Sequence, residues 1–272
     1  MKNKRVAVLD LYSGLGGFTS GFGDRFDVVT VDNCSMKGTT EKLVDHVMNC
    51  EEYLKRFPKQ KFDVVVGGPP CTSWAHFGMA NVSQHLDSEA CLEKIQAEGL
   101  KGVRTMLRAI LLYRPRFWII ENVHRAAPWF ASLLQITQCV QEDGTMRAYK
   151  TKSKHPTAKD KKHPSYAKTR RLADRCFKKY GRPVMLHAGT RSGGRYFFGH
   201  FPPMRYSNAG VAKKFPNILK KNGYRRITKG GTPASRSKID TEISGQFAEA
   251  ILSSLQKRHG RGQRTMEYFL DC

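Results

Sequence analysis

The run VVVGGPPCTSWAHFG (residues 64–78) sets a cysteine, Cys71, directly behind two prolines at the end of an apolar segment. Pro69 and Pro70 restrict the backbone and carry no N–H donor, so the thiol is held in one position on a stiff approach. A nucleophile has to be presented in that way, whereas a cysteine kept for packing is a small buried hydrophobe. A second segment decides between the two. WIIENV (118–123) is also apolar and ends in Glu121 and Asn122. If both segments are strands of one sheet, Cys71 and Glu121 leave it at the same edge, and a thiol and a carboxyl face one pocket. A third group lies earlier, in DLYSGLGGFTSGF (10–22), where Gly14, Gly16, Gly17 and Gly21 permit a tight turn and close backbone approach to a ligand. Alone, this loop suits a dinucleotide pyrophosphate, the amino-acid part of S-adenosylmethionine (AdoMet), or nothing more than a turn. Asp32 closes the next apolar run, where an acid binds the ribose hydroxyls of either cofactor.

Positioning these groups requires a sheet. RVAVLDLY (5–12), FDVVTVD (26–32), KFDVVVGG (61–68) and RFWIIEN (116–122) are short, β-branched and apolar, as strands buried on both faces are. Between them, EKIQAEGLKGVRTMLRAILLYR (93–114) carries Ile95, Val103, Leu107, Ile110 and Leu111 at near-helical spacing. This alternation predicts an α/β fold with a doubly wound, mostly parallel sheet of the Rossmann-like type. Later, GGRYFFGHF (193–201) reads as a strand and DTEISGQFAEAILSSLQ (240–256) as a helix.

Charge bounds the partners. The 272 residues hold 47 Lys and Arg against 23 Asp and Glu, a formal +24, which points to a polyanion and to nucleic acid first. No long apolar span or signal-like start is present, so a membrane partner is not expected and a cytosolic or nuclear setting is. Seven scattered cysteines without a CxxC pair suggest neither a disulfide framework nor a zinc site. Residues 147–182 hold 14 Lys and Arg and only two acids. Their low apolar content predicts a mobile basic arm, with a short helix at RRLADRCFKKY. A second basic stretch, 213–238, reads as loop.

DLYSGLGGFTSGF, GGPPC and IIENV, in this order and spacing, resemble the glycine-loop, Pro-Cys and Glu-Asn-Val motifs of the DNA cytosine-5 methyltransferases. The resemblance covers residues 5 to about 125; GRYFFGHFPPM (194–204) is similar to the arginine-bearing strand of that family, and ISGQFAEAIL (243–252) to its closing motif. It implies the AdoMet-dependent methyltransferase fold and transfer of a methyl group to C5 of cytosine in DNA. Cys71 would add to C6 of a flipped base, Glu121 would act at N3, and Arg195, assisted by Arg191, would hold the base and loop. AdoMet would be bound by Tyr12, Ser13, Gly14, Leu15, Gly16, Asp32, Asn49, Cys50 and Gln246, with no metal. The implied partner is cytosine-containing duplex DNA, bound by a monomer. Alternatives are cytosine-5 methylation of a tRNA-like RNA and a catalytically idle nucleic-acid-binding protein on the same fold.

The pattern departs from the family at Thr72, where Gln is usual, at Gly193 in place of an arginine, and at Gly245-Gln246 in place of Gly-Asn. The expected organisation is a cofactor-binding catalytic core (1–142), a basic nucleic-acid-contacting arm (143–183), a core strand with the arginine (184–203), a short recognition region (204–239) and a closing helix (240–272). So short a recognition region implies limited sequence readout.

Overall fold

The computed structural model describes residues 5–34, 44–71, 74, 98–149, 156–188, 195–206 and 241–259. The first strand, β1 (Val6–Leu11), runs into the glycine loop and α1 (Gly17–Phe22), then β2 (Phe26–Asp32) and a short β3 (His46–Val47). α2 (Cys50–Arg56) leads to β4 (Val64–Gly67), α3 (Leu100–Tyr113), β5 (Phe117–Val123) and α4 (Ala127–Leu133). The hairpin β6 (Gln138–Val140) and β7 (Met146–Ala148) precedes α5 (Ala158–Lys162) and α6 (Pro164–Tyr180), then β8 (Val184–Ala188), β9 (Arg195–His200) and α7 (Thr241–His259).

These nine strands form one sheet in the order β3-β2-β1-β4-β5-β9-β8-β6-β7. β1 to β5 are parallel to one another, and β9 enters antiparallel between β5 and β8. This is the expected Rossmann-like, doubly wound α/β architecture. The strand order reverses between β1 and β4, the switch point at whose carboxyl edge sheets of this kind place ligands.

Alternate side chains enter two cores because each central strand is covered on both faces. Leu9, Val65, Trp118 and Ile120 pack with α2, α3, α4 and α6, while Val8, Val64, Val66 and Ile119 pack with α1 and α7. Along α3, Val103, Met106, Leu107 and Ile110 are wholly buried, each contributing roughly 1.5–3 kcal/mol by leaving water.

The basic segment differs from the expected mobile arm. Residues 158–162 and 164–180 are helices. Thr157 and Asp160 form a reciprocal capping box on α5, and the His163 ring accepts a hydrogen bond from the Ser165 N–H at the start of α6, with Pro164 in the first turn. Composition obscured α6 because its apolar stripe is narrow. Tyr166, Thr169, Ala173 and Cys176 recur every three or four residues and are buried against α3 and α4, flanked by partly buried Leu172, Phe177 and Tyr180, while the exposed face is basic.

Asp10, the fifth residue of β1, is 1% exposed, and its carboxylate accepts a hydrogen bond from the Thr19 hydroxyl at 3.0 Å. Burial, only partly offset by that bond, pushes this carboxyl up to about 7. A folded-state value above the unfolded one favours folding below pH 4, and the advantage is lost as pH rises to 7. Asp10→Asn is therefore expected to be more stable than the parent at pH 8, by on the order of a few kcal/mol, and to match it at pH 4. Denaturant melts at the two pH values measure this, and equal stability at pH 8 would show that Asp10 carries no ionisation cost.

Candidate active site

The site is built where β1, β2, β4 and β5 end. Tyr12 follows β1 with a φ of 60°, a left-handed conformation that is uncommon for a bulky residue, and its N–H donates to the Val31 carbonyl at 2.9 Å. That kink sends the loop across the end of β2. Gly14 and Gly16, with φ of 53° and 69°, complete the turn, and the Gly16 N–H donates to the Ser13 carbonyl before α1 begins. Leu15 sits half-buried between them.

Asp32 ties this loop to β2. One carboxylate oxygen accepts from the Gly14 N–H at 3.1 Å and the other from the Cys34 N–H at 2.7 Å. Each oxygen keeps lone-pair capacity for a further donor such as a ribose hydroxyl. The Ser13 hydroxyl is buried with no hydrogen-bond partner among the described residues, in a loop otherwise closed by backbone bonds. An orphaned hydroxyl beside open carboxylate sites fits a polar, adenosine-containing cofactor.

Asn49 and Cys50 have local roles at the start of α2. The Asn49 side chain caps the helix by accepting from the Glu51 N–H at 2.8 Å, and Cys50 is 2% exposed with its sulfur toward the Val31 carbonyl. Burial pushes the Cys50 thiol up to about 12. Gln246 stands on α7 in a groove with Gly21, Pro202 and Met204, at the far end of α1 from Gly16.

Across the switch point stand Glu121, Arg195 and Cys71. Glu121 is 6% exposed and accepts a hydrogen bond from the Arg195 guanidinium at 3.0 Å. The register explains the pairing. Glu121 lies opposite Phe197 on β9, so Arg195, two residues earlier, stands on the same face one diagonal away. Burial pushes the Glu121 carboxyl up, and the Arg195 charge and hydrogen bond oppose the shift without cancelling it. Cys71 lies within electrostatic reach of both: its thiol is pushed up chiefly by burial, further by Glu121, and pulled back by Arg195. The expected trio of Cys71, Glu121 and Arg195 thus shares one pocket edge. Arg191, Thr72 and Gly193 lie outside the described residues.

Three neighbours that the motif reading left without a role hold this arrangement. The Asn122 amide donates to the Pro69 carbonyl at 3.0 Å while its oxygen accepts from the Val123 N–H, clamping the Pro-Cys turn to β5. The backbone N–H of Trp74 donates to the Cys71 carbonyl at 3.0 Å, and its ring is buried against Trp129 and Phe130, anchoring the chain just past the thiol. Gly68 leaves space for Glu121, since a Cβ there would lie 2.9 Å from the carboxylate. Paired glycines before the prolines were the available sequence signal for a close approach.

No family model matches the chain. It is 27% identical over 133 residues to the Type II methyltransferase M1.HphI of Haemophilus parahaemolyticus, a match covering 44% of this chain and 33% of that protein. It is 26% identical over 124 residues to the Frog virus 3 (isolate Goorha) protein described as "Probable DNA (cytosine-5)-methyltransferase", covering 43% of this chain and 53% of that one. The matches thus span between a third and about half of these relatives. Among solved structures, the Entamoeba histolytica methyltransferase EhMeth aligns over 75% of this chain and 56% of its own, with 14% identity and a TM-score of 0.33. The sequence matches make the chain a distant homologue of the AdoMet-dependent methyltransferases of the cytosine-5 type.

Proposed function

We propose that the chain transfers a methyl group from AdoMet to C5 of a cytosine in nucleic acid through a covalent bond between Cys71 and C6. The observation that supports this above all is a carboxyl buried beside an arginine within electrostatic reach of a proline-stiffened thiol, at the sheet edge next to the glycine loop.

Cytosine C5 is a poor nucleophile until a thiolate adds to C6, which makes the ring enamine-like. Cys71 forms that S–C6 bond, losing its proton as it attacks. Glu121, whose hold on a proton burial strengthens, donates to N3 and neutralises the charge that the addition drives onto the ring. Arg195 then stabilises the carboxylate left behind. AdoMet, when bound, would supply an electrophilic methyl group for C5 and leave as S-adenosylhomocysteine. Loss of the C5 proton to a base returns an electron pair to the C5=C6 bond, and Cys71 departs as thiolate. The cofactor is held by the Ser13 hydroxyl, the Gly14–Gly16 turn and the Asp32 carboxylate.

The reacting atoms are the same in DNA and RNA. A cytosine inside a duplex must be flipped into the pocket, at a cost of roughly a few kcal/mol, whereas an unpaired one escapes that cost. Only 40 residues, 201–240, separate β9 from α7, leaving little chain for a base-reading module. This favours a substrate whose cytosine needs little sequence readout, and an RNA loop stands beside duplex DNA as substrate on that ground.

Incubation with methyl-labelled AdoMet and either duplex DNA or tRNA, followed by base analysis, is expected to yield 5-methylcytosine in one of them. Cys71→Ala should abolish transfer, and Glu121→Gln should lower it by roughly 10²–10⁴-fold. Oligonucleotides carrying 5-fluorocytosine, whose C5 substituent cannot leave as a cation, should trap a covalent complex with the parent and none with Cys71→Ala. Methyl transfer that survives Cys71→Ala would overturn the covalent route.

Gly68→Ala would press a methyl group on the Glu121 carboxylate and is expected to reduce transfer by about 10²-fold, the effect of roughly 1 Å of misplacement. Unchanged turnover in that variant would show that the position of Glu121 does not matter.

A further inference from the structure

The outward face of α6 carries an unbroken line of cations. Lys168, Arg171, Arg175, Lys178 and Lys179 are all exposed and recur at three- and four-residue intervals. They lie about 200° around the helix from Tyr166, Thr169, Ala173 and Cys176, the stripe buried against the body of the protein. The line from Lys168 to Lys178 spans about 15 Å, the axial rise of about four nucleotides of one strand.

Among the described residues no acid pairs with this charge. Both acids of the segment are committed elsewhere: Asp160 to its capping box, and Asp174 to Arg170 at 2.8 Å. Among the described residues none of the five cations forms an ion pair. Like charges three and four residues apart oppose helix formation, so α6 holds them in place only through its buried face.

The helix also begins at the catalytic edge. Gly102 of α3 lies directly under Pro69, and the next contacts along the two helices run in step. Arg104 reaches the Ser165 carbonyl and Thr169 hydroxyl, and Cys176 reaches the Leu107 carbonyl. α6 is therefore parallel to α3, with Lys168 nearest the Pro-Cys turn and Lys179 farthest from it.

We infer that this face is a phosphate-backbone site, on which a polynucleotide with its cytosine in the Cys71–Glu121 pocket continues along Lys168, Arg171, Arg175 and Lys178. This rests on the proposed methylation of nucleic acid. An anionic membrane is the other polyanionic surface, but the apolar stripe of α6 is spent in the core and leaves nothing to insert between lipids. Phosphate contacts of this kind add affinity without reading sequence.

The test compares the parent chain with two variants of equal charge change: Lys168, Arg171, Arg175 and Lys178 to Gln, and a control with Lys55, Arg56, Lys59 and Lys61 to Gln, all exposed around α2. Binding to a mixed-sequence DNA duplex, a tRNA and phosphatidylserine vesicles is followed from 50 to 200 mM salt, with methyl transfer measured in parallel. Four lost duplex contacts should reduce the slope of log affinity against log salt by about 3–4, removing about a hundredfold of the salt dependence. The α2 control should keep the parent slope. Equal slopes in parent and α6 variant, equal losses in both variants, or binding to vesicles in preference to both nucleic acids would each overturn the site. If neither nucleic acid is methylated while the α6 variant alone loses salt-dependent binding, the methylation reading fails and the phosphate site stands.

Discussion

Everything in the crevice leans on one buried ion pair, Glu121 with Arg195, at the end of a strand otherwise made of Phe117, Trp118, Ile119 and Ile120. A carboxyl placed so deep cannot keep its full charge without a partner, because desolvation outweighs what distant charges return. Its partner arrives on β9, the antiparallel strand that runs alongside β5, and only at the register that sets Phe197 opposite Glu121. A slip of β9 by one residue would turn the guanidinium to the other face of the sheet. The carboxyl that results has its proton affinity raised by burial and only partly restored by the Arg195 charge.

The same economy of space governs the loops around the pair. Gly68 offers no Cβ where the Glu121 carboxylate lies, Asn122 ties the Pro69 carbonyl to β5, and Trp74 fixes the chain beyond Cys71. The thiol is thereby flanked by two fixed points, the Asn122 bond to Pro69 before it and the Trp74 backbone bond to its own carbonyl. On the other side of the switch point, Asp32 accepts from two backbone amides and sets the shape of the glycine loop while leaving acceptor capacity for a ligand. The two half-sites meet because β1 and β4 are neighbours in the sheet although more than 50 residues apart in the chain.

Charge is distributed on a different principle. The Glu121–Arg195 pair is desolvated in an apolar wall, while six of the 14 cations of the 147–182 segment stand on α6, five of them exposed. Burial sharpens proton transfer, and exposure preserves long-range attraction to a polyanion. α3 connects the two, since it supports the Pro-Cys turn at one end and α6 along its length.

Much of this was legible without coordinates. The apolar runs that became β1, β2, β4 and β5 are β-branched and short, a pattern that specifies buried parallel strands from local chemistry alone, and their ends named Asp32, Cys71 and Glu121 as neighbours of one crevice. Asn49 and Cys50, expected as cofactor contacts, also serve the start of α2 by capping and packing, because a short polar side chain at a strand end serves a helix start equally well. The basic segment misled in another way, since its composition resembles that of a disordered chain and the four residues of its buried stripe have meaning only once α3 and α4 are there to receive them. The sequence by itself therefore determined the strands and their order of appearance, and it placed Asp32, Cys71 and Glu121 at strand ends, all of which follow from local pattern. Tertiary structure alone decided the Glu121–Arg195 pairing, the clamp on Pro69 and the one-sided charge of α6, because each depends on which residue lies across a gap that the chain crosses only by folding.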